Sequence, residues 1–341
     1  MITVTGLAQH QAWQDKAMPA VEEVRPGVWS IPVAFPGNPL RYTLGYLLRS
    51  DQGAVFVDPG WDSDAGWQQL VEGLRIAGIQ PSELTGIAVS HYHPDHLGMA
   101  ARLKAASGAW LGLGEHEGLY RDDAGSAAEL LAGDRSKLSE WGVPADRLPE
   151  VCLTAEILAK SRQSGEPDLR FADGEQLPVP GLSIRALATP GHTPGHLCFL
   201  DEANSLLLTG DHILPRITPH ISLESFGAAN PLADYYASLD RVDLPGGLEV
   251  LPGHEYRFRG LAERIAQIKA HTDQRSAEVR RVVSGQSPHT VWDVAQVLTW
   301  SRGWDSLRGY TLRLALAETA SHLVYLESLG YPLGIPGLTV D

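Results

Sequence analysis

Residues 84–100 read LTGIAVSHYHPDHLGMA, a short apolar run that ends in four metal-binding or proton-moving side chains: His91, His93, Asp95 and His96. Such a run predicts a buried strand. Alternate residues leaving a strand point the same way, so His91 and His93 share a face. Pro94 favours a tight turn that brings Asp95 and His96 in behind them. Imidazoles joined by a carboxylate suit Zn²⁺, or Fe or Mn, better than Mg²⁺ or Ca²⁺.

Three further candidate ligands follow, each at the end of a predicted strand. His192 lies in TPGHTPGH after LSIRALA, Asp211 closes LLLTGD, and His254 follows LEVLPG. A glycine before each ligand lets the backbone turn sharply and brings the side chain in close. Seven ligands suffice for two metals.

The rest of the chain reads as strands and βα units, interrupted once. GVWSIPVAF (27–35), RYTLGYLLRS (41–50) and GAVFVDPG (53–60) are β-rich runs separated by turn residues. Trp67, Leu70, Val71 and Leu74 recur at helical spacing, with Asp62 or Ser63 as cap and Gly78 as stop. A second helix closes at Gly108, and a strand covers 109–114. Residues 115–170 break the alternation and predict two or more inserted helices. Strands resume over 182–190, 197–211 (a hairpin turning at 202–205) and 247–255. From about 261 the pattern is helical, with Thr290 and Asp293 in capping-box positions. A boundary is placed near 260, dividing a catalytic domain (1–260) from a C-terminal helical region (261–341).

Composition narrows the partners. A net charge of −14 repels phosphate backbones, so no nucleic acid is expected, and no anionic membrane surface either. Apolar runs such as LLL (206–208) are far too short to span a bilayer. The N-terminus shows no basic segment followed by an apolar run, which makes a cytoplasmic protein the expectation. Cys152 and Cys198 lie in apolar settings and read as free thiols.

The order His-x-His-x-Asp-His, Gly-His, Gly-Asp, Gly-His resembles that of the metallo-β-lactamase-fold superfamily, over about residues 26–257. It is most similar to the hydroxyacylglutathione-hydrolase-like hydrolases, whose Asp stands where true β-lactamases often have Cys. Asp58 in VFVDPG matches an Asp that follows an early strand in that family. The resemblance implies an α+β fold, a four-layer αββα sandwich with the metals at one edge between the sheets. Here it would carry the helical insertion and a helical appendage, the latter resembling the winged-helix-like tail of another hydrolase branch. By position, His91, His93 and His192 would hold one metal, and Asp95, His96 and His254 the second, with Asp211 bridging.

The implied chemistry is hydrolysis by a hydroxide held between two divalent ions, most simply Zn²⁺, with Asp95 as ligand and orienting carboxylate. The insertion is expected to cover the cleft, so the substrate class is a small-molecule or acyl ester or thioester, with a lactone next. Two alternatives are a persulfide dioxygenase-like enzyme with a single iron and a phosphodiesterase or ribonuclease; the charge disfavours the latter. Arg216 and His220, in LPRITPHIS, are expected either to line the substrate entrance or to stabilise their loop. His196 and His212 are expected as core or supporting residues rather than ligands, and Tyr92 is expected to point into the core. A homodimer is left open.

Overall fold

The computed structural model describes residues 1–117, 126–163, 165–224, 228–286, 289–335 and 338. Strands and helices are numbered in chain order. The strands are β1 (Thr3–Val4), β2 (Glu22–Arg25), β3 (Val28–Ala34), β4 (Tyr42–Arg49), β5 (Ala54–Val57), β6 (Gly86–Ala88), β7 (Trp110–Gly114), β8 (Leu169–Phe171), β9 (Ile184–Ala188), β10 (Leu197–Asp201), β11 (Leu206–Gly210), β12 (Glu249–Pro252) and β13 (Phe258–Arg259). The helices are α1 (Leu7–Gln14), α2 (Asp64–Ile76), α3 (Pro94–Leu97), α4 (Ala100–Ser107), α5 (Ala127–Glu140), α6 (Leu148–Val151), α7 (Ala155–Gln163), α8 (Pro231–Arg241), α9 (Leu261–Gln286), α10 (Val291–Val297) and α11 (Gly309–Ser328).

Two mixed sheets form. One has seven strands in the order β2-β3-β4-β5-β6-β7-β8; the other has six in the order β1-β13-β12-β11-β10-β9. In the first, antiparallel hairpins give way to parallel pairing from β5 onward, where helices supply the crossovers. The apolar residues sort these sheets into layers. Tyr42, Leu44, Tyr46, Val55 and Val57 meet Ile184, Leu197, Phe199, Leu206 and Leu251 between the sheets. The opposite face of the first sheet, with Ile31, Leu47, Phe56 and Ile87, packs on Leu70 and Leu74 of α2 and Leu103 of α4. The outer face of the second, with Leu200, Leu207 and Val250, packs on Leu232, Tyr235 and Leu239 of α8 and Ile265 and Ile268 of α9. Four layers follow, helix on sheet on sheet on helix, as the resemblance implies.

Local signals behave as their chemistry requires. The Ser63 side chain accepts the N–H of Gly66 and starts α2. Thr290 and Asp293 form a reciprocal capping box at α10. The expected insertion contains α5, α6 and α7; its residues 118–125 and 164 lie outside the described residues. Beyond 260 the described residues carry helices and no strand.

One packing feature was not legible in the sequence. Leu138, Trp141, Leu148 and Val151 of the insertion share a single apolar cluster with Val279, Val294, Leu312, Leu316 and Leu323 of the C-terminal helices. Trp292 donates its N–H to the Trp141 carbonyl at 2.9 Å. Insertion and tail thus form one wall beside the sandwich. Both cysteines are free thiols, as expected. Among the described residues no helix is long and apolar enough to cross a membrane.

Candidate metal centre

All seven side chains singled out by the sequence converge where strand ends of the two sheets meet. They form three overlapping groups able to hold a metal: His91, His93 and His192; His91, His96 and Asp211; Asp95, His96 and His254. β6 feeds the His91–His96 turn, β9 leads to His192, β11 to Asp211 and β12 to His254. Gly210, at φ +46°, lets β11 turn into Asp211, and a Cβ there would lie 2.6 Å from that of Ser90.

Each imidazole is aimed by the nitrogen that faces away from the centre. His96 Nδ1–H donates to Asp58 Oδ2 at 2.9 Å, which leaves Nε2 bare toward Asp211 and His254. His254 Nδ1–H donates to the Tyr42 carbonyl at 2.9 Å. His192 Nδ1–H donates to the His220 carbonyl at 2.8 Å. Ser90 donates its hydroxyl to Asp58 and so accepts from His91 Nδ1–H at 2.9 Å. Fixing one ring nitrogen this way presents the other as a lone pair.

Those lone pairs meet one another. His91 Nε2 and His192 Nε2 lie 2.9 and 3.0 Å from His93 Nδ1, and His96 Nε2 lies 3.4 Å from His254 Nε2. Converging bare nitrogens repel unless a cation sits among them, so the donor set fits divalent metal. Asp211 reaches both halves, with Oδ1 3.4 Å from His96 Nε2 and 3.3 Å from His254 Nε2, and Oδ2 3.7 Å from His192 Nε2. Asp95 Oδ2 lies 3.3 Å from His254 Nε2.

Electrostatics divides the centre. Burial pushes the His93 imidazole down to about 3, with His192 adding to the effect. Burial also drives His91 well below its ordinary range. At His254 burial acts in the same direction, but the Asp211 and Asp95 carboxylates outweigh it and hold the ring up at about 10. The same balance, led by Asp211, raises His96. Burial thus favours the neutral ring in the first group, whereas the Asp211 and Asp95 carboxylates favour the protonated ring at His96 and His254, where a metal ion would compete with the proton for Nε2.

The remaining predicted residues fall around this core. His196, a supporting residue, accepts the Asp211 N–H at Nε2 (3.3 Å) and gives Nδ1–H to Thr189. His212 is fully buried against Tyr235. Tyr92 is buried as expected, yet its hydroxyl donates to Glu224 at 3.2 Å instead of ending in apolar core. Arg216 lies with its guanidinium 3.9 Å from the centre of the Trp13 ring and 3.6 Å from Glu255. The His220 ring pairs with Glu318 at 3.4 Å, and the residue lines a cavity of about 120 Å³ with Thr218, His271, Arg275 and His322. Glu117, fully buried beneath the ligand loops, carries no sequence signal of its own because its partners are mostly backbone N–H groups.

Comparison with known proteins agrees with this architecture. Residues 39–254 match the family model of the metallo-beta-lactamase superfamily. A lactamase-like protein of Penicillium aethiopicum is 26% identical over 77% of this chain and 68% of its own length. A thioesterase of Emericella nidulans is 24% identical over 79% of this chain, an alignment that spans 63% of the relative. The crystal structure of a metallo-beta-lactamase family protein from Thermus thermophilus, 28% identical, superposes with a TM-score of 0.74 over 90% of this chain and 95% of that one. The ligand order, the layered sandwich and the family match agree: this chain belongs to the metallo-beta-lactamase superfamily.

Proposed function

We propose that the protein is a dinuclear metal-dependent hydrolase acting on a small-molecule or acyl ester or thioester, with a lactone the next class. The observation that carries this reading is the meeting of bare imidazole nitrogens in two groups that one carboxylate, Asp211, reaches together. Two divalent ions, most simply zinc, would supply an acidified water and a polarising charge for the scissile carbonyl. His91, His93 and His192 would hold one ion, Asp95, His96 and His254 the other, and Asp211 both. Burial pushes the Asp95 carboxyl up, but His96 and His254 outweigh it and hold the group below its ordinary value, which favours the carboxylate that would orient the water.

The choice of bond rests on the bridging position, on the relatives and on charge. Asp at position 211, where lactamases of this fold often carry Cys, favours the hydroxyacylglutathione-hydrolase-like side of the superfamily. Two relatives are named thioesterases. A net charge of −14 disfavours a polyanionic substrate. We assign the wall formed by the insertion and the helical tail to substrate selection, with His220, which pairs with Glu318 of that tail, at its border, and the cytoplasm as the compartment; Arg216, held on Trp13 and Glu255, fits the loop-stabilising role better.

The test is a chelator-controlled screen of an acyl-N-acetylcysteamine thioester, a phenyl ester, a lactone and bis-p-nitrophenyl phosphate. Thioester or ester turnover that is lost on chelation and restored by zinc is expected. Turnover of the phosphodiester alone would refute the assignment.

A further inference from the structure

Glu117 is a buried acid that the hydrolytic reading does not use. It follows β7 in a tight turn, and it is fully buried. Its Oε1 accepts the Tyr92 N–H at 3.1 Å and the Thr193 hydroxyl at 2.7 Å; its Oε2 accepts the Gly195 N–H at 3.2 Å. All three donors are neutral. Burial, offset in part by these bonds, pushes the carboxyl up to about 7, so an acid is kept here at an electrostatic cost.

The position of those donors gives the reason. Tyr92 stands between His91 and His93, and Thr193 follows His192. One carboxylate therefore joins the two backbone segments that carry all three histidines of the first group. The fit is tight: a Cβ on Gly195 would lie 2.2 Å from the Glu117 nitrogen, so the loop can approach only as glycine. The second group is held differently, through Asp58 to His96 and the Tyr42 carbonyl to His254. Asp58 also reaches His91 through Ser90, but it makes no bond to the His192 loop among those the structure shows.

We propose that Glu117 is a positioning residue for the first metal group, clamping the His91–His93 turn to the His192 loop and so setting that site's affinity without touching the metal. The proposal rests on the two-metal reading above. The full chain is compared with Glu117→Gln and Glu117→Ala, using Co²⁺ and Zn²⁺ titrations against a competing chelator, and melting of the metal-free forms. Wild type should bind two ions per chain. Glu117→Ala should weaken one of them by roughly 10–100-fold, the usual effect of removing a residue behind a ligand, and leave the other unchanged. Glu117→Gln keeps one acceptor oxygen and should show a smaller loss with the metal-free fold intact, which covers the case in which the alanine variant fails to fold.

Two ions bound at wild-type affinity by both variants, or equal weakening of both sites, would overturn the clamp alone. Wild type binding fewer than two ions would overturn the two-metal reading, and the clamp with it.

Discussion

Asp58 offers the sharpest perturbation of the candidate centre, because one buried carboxylate controls two donors and a tautomer. It accepts Ser90 N–H at 2.7 Å, the Ser90 hydroxyl at 2.8 Å and His96 Nδ1–H at 2.9 Å. Asp58→Ala strands the Ser90 N–H and His96 Nδ1–H in the interior. At about 1–3 kcal/mol for each unsatisfied donor, the variant should lose roughly 2–6 kcal/mol of stability. Asp58→Asn is more informative. Its carbonyl can still serve Ser90 N–H, while its NH₂ faces His96 Nδ1 and favours the ring proton on Nε2. That proton would point at the place where a metal belongs. The stability loss should be near 1 kcal/mol, whereas affinity at the His96 site should fall at least 10-fold. Urea unfolding of the metal-free protein and chelator competition measure the two effects separately. If Asp58→Asn bound both ions as tightly as wild type, the argument that Nδ1 partners aim the ligands would be wrong.

Other expectations follow from the same geometry. Gly253→Ala would put a Cβ 2.6 Å from His96 Cε1 and 2.9 Å from Asp211 Oδ1, so metal content should fall at the His96–His254 group, as read by elemental analysis. Asp95→Ala should abolish turnover and leave one ion bound; full activity would sink its assignment. Metal binding at the His96–His254 group must displace protons, since His254 is held up at about 10. Its affinity should therefore rise with pH across 6–9, while the group containing His93, pushed down to about 3, should show little pH dependence. Calorimetry in buffers of different ionisation enthalpy counts those protons. Leu316→Ala, in the cluster shared by insertion and tail, should cost about 2–5 kcal/mol in urea unfolding and loosen both elements together in hydrogen exchange.

How much of this was legible in the sequence depends on distance along the chain. Strand ends carrying His91, His93, His192, Asp211 and His254 stand out because apolar runs stop abruptly at residues with metal chemistry. Caps such as Ser63 and Thr290 are local and read directly. The Asp58 motif was visible, but its partners were not. Glu117 has no such signal, because a buried acid serving backbone N–H groups on two distant loops leaves no pattern in its own segment. Arg216 shows the same limit: its ring partner, Trp13, lies on the N-terminal helix α1. The joining of insertion to tail brings Trp141 against Trp292, a contact that helical periodicity can suggest on either side but never pair.

The central claim is that this chain holds two divalent ions, and metal content per chain measures it most directly. Elemental mass spectrometry on protein purified without added metal should find close to two zinc or mixed divalent ions, with hydrolysis lost when they are removed. A single iron per chain, with oxygen consumed on a persulfide substrate, would contradict the account.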